Sequence, residues 1–315
     1  MLKKLWNRIL FSAPVRAMIR IADSIRPWGF EGLSLFYVMR FFVEGLQKGA
    51  VTTRAAAISF RLFLAVFPAL ILLLSIIPLV PIDDFQESLF SNIQGFFPGD
   101  TFDLVETTLD DLINRKHNTL LSIGFLLVLF YSSSSVNAIL TGFSGSYNVE
   151  HKGNPVVFRL LSLLLMLVLT IFILMAVVLI IFSGMVFDYL KEFNFIPDDG
   201  IILLLNIARW LITLFLIYMS ISTLYNVGDY KGRRWKTFSA GASFATLFFI
   251  IASLGFAWFV NNFAQYNTLY GSLGTLLLLL IWINFNCNIL LLGFELNASI
   301  GRAKSEFETR LTTMS

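Results

Sequence analysis

The chain has 315 residues, of which 57% are hydrophobic and only 14% charged, with a mean hydropathy of +0.77 and a net charge of +3. A soluble domain carries about 25% charged residues, so the composition excludes one and points to an integral membrane protein. The single cysteine, Cys287, excludes an intramolecular disulfide, and His117 and His151 are too few and too separated for a His-based metal site, so no metal and no cofactor are expected.

Residues 1–26 mix Leu, Ile, Trp and Phe with six basic residues, including Arg16, Arg20 and Arg26, against the single acid Asp23. The arginines interrupt what would be an h-region, so no cleaved signal peptide is expected. The segment is broken at Pro14 and Pro27. It reads either as a basic amphipathic helix lying on an anionic leaflet or as a helix packed on the domain. Residues 31–53 continue as a second amphipathic helix, and 1–54 as a whole is read as cytoplasmic or interfacial.

The first predicted span is 55–80. It carries Arg61 about 9 Å inside its start, and Pro68, which lacks an N–H and is expected to kink the helix. Residues 81–118 form a loop with eight acids against Arg115 and Lys116, patterned as two short amphipathic helices. Span two, 119–141, holds Ser132, Ser133, Ser134 and Ser135, then Asn137. Span three, 160–187, is uncharged, and span four, 201–224, holds Asn206 and Arg209. Span five, 238–260, begins with small residues around Gly241 that permit close helix contact. Span six is 270–299, where Gly271 and Gly274 allow close packing, and 300–315 is a tail. The fold class is therefore all-α: a polytopic membrane protein with a six-helix membrane domain over 55–299.

If both ends lie on one side, that side holds eighteen of the 23 Lys/Arg and the other side three, Arg61 and Arg209 lying within spans. The positive-inside rule then sets both termini in the cytoplasm and the acidic 81–118 loop outside.

Span six is the least plain. Asn284, Asn288 and Glu295 fall within about 40° of one another on a helix turning about 100° per residue. Such a stripe faces protein or a wet cavity, not lipid tails. Matching depths lead to the expectation of a cytoplasm-facing polar chamber walled by spans one, two and six. Arg61 is expected to pair with Glu295. The alternatives are that the pair only fastens helices, or that both side chains snorkel to water. The serines either line the chamber or bond their own helix and its neighbours.

These segments resemble the YihY/BrkB family of bacterial inner-membrane proteins, once mislabelled ribonuclease BN. The resemblance rests on Arg54-Ala55-Ala56-Ala57 through Phe67-Pro68, on 131–147 ending FSGSYNV, and above all on YGSLGTLLLLLIWINFNCNILLLGFELNA. It covers about 40–300 and implies six helices and a bacterial cytoplasmic membrane. Arg61 departs from the family pattern, which has an uncharged, often aromatic residue there. The 225–236 loop lacks the proline expected after its Tyr.

An enzyme is not expected: Glu150 and Asp229 stand singly in the cytoplasmic loops, and no Walker motif is present. The reading that uses most of the sequence is a translocator of a lipid or other amphiphile. Arg16, Arg20, Arg26, Lys231, Arg233 and Arg234 would enrich anionic lipids at the inner surface. The alternative is an envelope scaffold docking a periplasmic partner through 83–115, and a small-solute permease ranks third. No nucleic-acid partner is expected.

Overall fold

The computed structural model describes residues 13–76, 78, 118–149, 154–192, 199–229, 235–262 and 272–314. In hydrocarbon each backbone N–H and C=O must find its partner within its own segment, and long apolar runs meet that demand as helices. Two short helices, α1 (Ala13–Ser24) and α2 (Leu35–Lys48), precede six long ones. These are α3 (Val51–Ile76), α4 (Asn118–Ser144), α5 (Pro155–Glu192), α6 (Asp199–Gly228), α7 (Ala240–Asn262) and α8 (Ser272–Met314). All six are long and apolar enough to cross a membrane, so the protein is an all-α polytopic membrane protein.

The long helices form a ring. Each of α3 to α7 packs on its successor, and α8 returns to α3. From α4 onward, short connections make sequence neighbours antiparallel. α4 sits furthest inside, reaching α6 and α8 as well as its ring neighbours, while the α6–α7 contact is the smallest in the ring. The core is built from α4 and α8: Leu140, Phe143, Leu291 and Phe294 are buried. Phe143 and Phe294 stack with centroids 4.2 Å apart. Leu164, Trp210, Leu254 and Trp258 point outward and are exposed, as a lipid-facing surface allows.

Helix ends follow local chemistry. Ser34 accepts from the Tyr37 N–H at the start of α2, Asn154 from Val156 at α5, and Ser239 from Ala242 at α7. α2 ends at Gly49, and Ala50 turns the chain with φ +46°, so the surface helix and α3 are separate elements and not one helix over 31–53. α3 begins four residues before the predicted 55 and runs through the buried Pro68. α8 does not end at 299. Its 43 residues are about 65 Å long, twice a hydrocarbon core of about 30 Å, so its charged final third projects beyond the membrane. There Leu296, Ile300 and Ala303 bury Phe30, Leu33, Val38 and Phe41, docking α2 and the 25–34 segment onto α8.

Gly241 is where α7 crosses α8. A Cβ there would lie 2.0 Å from the Gly293 carbonyl oxygen, and one on Gly293 would lie 2.4 Å from the Tyr225 hydroxyl and 2.7 Å from the Gly241 oxygen. Neither position can carry a larger residue while the crossing stays this close. Gly274 is buried within α8.

Candidate functional site

Two regions of different character flank α8. The first is polar. Glu295 is fully buried, and its Oε1 meets Arg54 Nη2 at 2.5 Å while Ser146 Oγ donates to its Oε2 at 2.6 Å. Arg54 Nη1 donates to the Gly142 carbonyl at 2.5 Å. Ser299 Oγ donates to the Glu295 carbonyl and accepts from Asn148 Nδ2, which also donates to the Phe41 carbonyl. Arg302 Nη1 donates to Asn148 Oδ1 at 3.2 Å. The cluster ties α2, α3, the end of α4 and α8 into one latch. Gly45 makes room for it, since a Cβ there would lie 2.4 Å from Asn148 Nδ2. A charge taken out of water costs several kcal/mol unless paired and hydrogen-bonded; here both carboxylate oxygens and both terminal nitrogens of Arg54 are engaged, while its Nε is buried and meets no protein partner.

The partner of Glu295 is therefore Arg54, not Arg61. Arg61 is exposed on the outer side of α3, two turns further along. The reason is depth. Because α3 starts at Val51, Arg54 stands at the helix mouth, level with an acid that lies well before the end of a helix reaching Met314. The stripe on α8 does face protein, but it closes against α3. Asn284 Nδ2 donates to Ser59 Oγ at 3.2 Å, and Asn288 Nδ2 donates to the Asn284 carbonyl at 2.9 Å. The serine run is likewise consumed. Ser133 bonds the Phe130 carbonyl of its own helix, and Ser135 bonds Tyr131 and reaches across to the Arg61 carbonyl. Ser132, Ser134 and Asn137 are half-buried. None of the three cavities described below is lined by these residues; Asn284 joins α8 to α3, and Ser135 joins α4 to α3.

The second region is hollow. A cavity of about 500 Å³, almost wholly apolar, lies between α3, α6, α7 and α8; Leu62, Ser220, Leu224, Phe249, Cys287 and Leu290 are among its walls. The indole N–H of Trp282 and the amide oxygen of Asn286, on two further lining residues, are buried and meet no protein partner. One turn further along the same helices lies a polar cavity of about 320 Å³, lined by Trp28, Glu31, Asn226, Asp229, Lys236 and Asn297 among others. Between them stands Tyr225, whose hydroxyl donates to the Leu290 carbonyl at 2.7 Å and whose ring packs edge-on to Phe143 and Phe294. On the outer side of the α6–α7 seam a third, apolar cavity of about 430 Å³ includes Leu214, Tyr218, Thr246 and Ile250.

Of the other residues singled out, Arg20 and Arg26 are exposed, and Arg209 lies 5.5 Å from the Trp210 ring centroid. Lys231, Arg233, Arg234, Glu150, His117, His151, Gly271 and the 83–115 helices lie outside the described residues, as does the Arg16 side chain. Sequence reasoning missed Arg54, Ser146 and Asn148 as site residues. Their signal was present: all three fall within the segments, RAAA and SGSYN, that carry the family resemblance. Among the described residues no group of three His, Cys, Asp or Glu is placed to hold a metal ion.

Comparison with known proteins fits this architecture. The family model described as virulence factor BrkB matches residues 42–313. A putative ribonuclease-like protein, YfkH, of Bacillus subtilis is 28% identical over 255 residues, covering 80% of this chain and 90% of the relative. UPF0761 membrane proteins of Aliivibrio salmonicida and Aggregatibacter aphrophilus are 26% and 24% identical, covering 87% and 84% of this chain and 86% and 92% of the relatives. No solved structure matches.

Proposed function

The chain belongs to the virulence factor BrkB family of membrane proteins, and from that premise we propose that it moves an amphiphile through the cleft between α6, α7 and α8. The observation that carries the reading is the sequence of cavities along α6 and α8. A slot of about 500 Å³ is followed by a polar mouth of about 320 Å³, beside the smallest contact in the ring. Ligand sites of this kind are mostly apolar, of about 300–1,000 Å³, with a few placed polar groups.

An acyl or prenyl tail arriving from the bilayer meets the apolar pocket on the α6–α7 seam. It passes into the slot at little cost, because lipid tails and the slot wall are equally apolar. Trp282 Nε1 and Asn286 Oδ1 offer one donor and one acceptor to an ester or hydroxyl partway along it. The head group occupies the mouth. Passage from slot to mouth requires the Tyr225–Leu290 hydrogen bond to open. The Arg54–Glu295 latch is the fixed side of the molecule, against which α6 and α7 move.

The reading orients the basic end toward the cytoplasm of a bacterial inner membrane, with the slot in the inner half of the bilayer. It is a transport reading and not an enzymatic one. Glu295 is fully engaged by Arg54 and Ser146 and offers no free base. The ribonuclease-like name belongs to the Bacillus relative.

Photo-crosslinking with a diazirine-tailed phospholipid in proteoliposomes, mapped by mass spectrometry, tests the path. Adducts are expected on 217–224, 245–249 and 282–290. Adducts confined to the outer faces of α3 and α5 would overturn it.

A further inference from the structure

The mouth contains a carboxylate that stands where an anion would sit. Glu31 Oε2 lies 2.7 Å from Lys304 Nζ, and Glu31 Oε1 contacts Lys236 Nζ. The three groups come from three elements: the 25–34 turn, the segment before α7, and the projecting end of α8. Each is held in place. Asn226 accepts from the Lys236 N–H and donates to its carbonyl, fixing that lysine's backbone to α6. Phe30 and Leu33 are buried against α8 on either side of Glu31. Lys304 follows the fully buried Ala303.

The backbone at Glu31 is unusual. Its φ is +53°, between Gly29 at +86° and Gly32 at +83°. A non-glycine residue in the left-handed region is uncommon, and such outliers gather at ligand clamps and switches. The turn spends that conformation on aiming one carboxylate between two lysines. Burial pushes the Lys236 ammonium below the usual lysine range, and Lys304 pushes it the same way. Two ammonium groups held this close call for an anion between them. With Glu31 present, Lys236, Lys304, Glu31 and the nearby Asp229 sum to neutrality. Glu31 stands where the mouth, lined by Lys236, meets a neighbouring cavity lined by Lys304, and with Glu31 turned aside the two lysines and Asp229 leave a net positive charge there.

We propose that the head-group site takes a phosphate anion, held by Lys236 and Lys304, and that the Glu31 carboxylate is a built-in competitor occupying that site in the resting protein. This deepens the amphiphile reading and rests on it for the identity of the tail. The phosphate belongs to a lipid head group or to free phosphate, and the same chemistry serves both.

The test is binding to the full-length protein in neutral detergent, with short-chain phosphatidylglycerol, short-chain phosphatidylcholine and inorganic phosphate as probes. Phosphatidylglycerol is expected to bind more tightly than phosphatidylcholine. Glu31→Gln is expected to raise its affinity, and Lys304→Gln to lower it, each by about threefold to tenfold, in keeping with half-exposed charge pairs. The opposite signs keep loss of fold from imitating the result. If phosphatidylglycerol and phosphatidylcholine bind equally and neither variant matters, the anion site is overturned while the amphiphile reading stands. If inorganic phosphate binds with the same dependence on Glu31 and Lys304 and no lipid binds, the anion site stands and the amphiphile reading fails. If no probe responds to either variant, the proposal is wrong.

Discussion

The two sides of α8 have opposite fates. Asn284, Asn288 and Glu295 lie on one face, where Asn284 bonds Ser59 of α3, Asn288 bonds Asn284, and Glu295 bonds Ser146. Trp282, Asn286 and Leu290, about 120° to 180° around the helix, line a cavity. The difference follows from what the bilayer provides. A polar group in hydrocarbon must find its partners inside the protein, so the polar face is pulled into tight contact. An apolar face gains little from burial, because lipid tails solvate it as well as protein does. In this protein the polar face of α8 is joined to its neighbours by hydrogen bonds, and the opposite face lines a cavity.

The sharpest way to break this contrast is to damage the latch. Arg54→Leu or Glu295→Leu alone leaves a buried charge without its partner and is expected to cost about 3–5 kcal/mol. Thermal unfolding in detergent should show it, with the Arg54→Leu/Glu295→Leu double variant more stable than either single one. Next in size, Gly293→Ala forces a methyl group against the Tyr225 hydroxyl and the Gly241 carbonyl. It is expected to cost about 1–3 kcal/mol, and a Tyr225→Phe background should relieve part of the loss by removing the hydroxyl. Arg61→Leu sharpens the comparison from the other side. Exposed and apart from the latch, it is expected to change stability by no more than about 0.5 kcal/mol. A loss equal to that of Arg54→Leu would return Arg61 to the pair.

The smallest effect is a pH effect at the surface. The hydrogen bond from Lys48 holds the Glu44 carboxylate below its ordinary value of 4.5. A depressed carboxylate stabilises the fold above its unfolded pKa, and that contribution is lost as pH falls through the folded value. Glu44→Gln should therefore lower stability slightly at neutral pH, and its difference from the unaltered chain should vanish as pH falls below about 4.5.

Much of the fold is legible in the residues, because apolar runs of bilayer length have few alternatives in lipid. The stripe on span six, expected to face protein or a wet cavity, meets protein partners at Asn284 and Glu295. The partner of Glu295 is not legible there, for a physical reason. Hydropathy starts span one at the first uninterrupted apolar residue, so Arg54 counts as flank and Arg61 as the embedded charge. In the folded chain Arg54 lies one turn inside α3, held by the Gly142 carbonyl and the Glu295 carboxylate. The charges after Ser299 likewise end the apolar run without ending the helix. The slot and mouth leave no mark in sequence. They arise from how far apart α6, α7 and α8 stand, which depends on Gly241 and Gly293 fixing one crossing while the α6–α7 seam stays loose.

The proposed movement of an amphiphile through the hollow side is tested by lipid scrambling in proteoliposomes, measured with a fluorescent phospholipid and an impermeant quencher. Two variants are compared with the unaltered chain. Ser220→Phe fills the slot, and Asn284→Leu/Asn288→Leu strips both amides from the polar stripe while leaving Arg54 and Glu295 in place. Scrambling should fall at least about tenfold, or about 1.4 kcal/mol in barrier height, in Ser220→Phe and persist in the stripe variant. Persistence in Ser220→Phe with loss in the stripe variant would contradict the central claim.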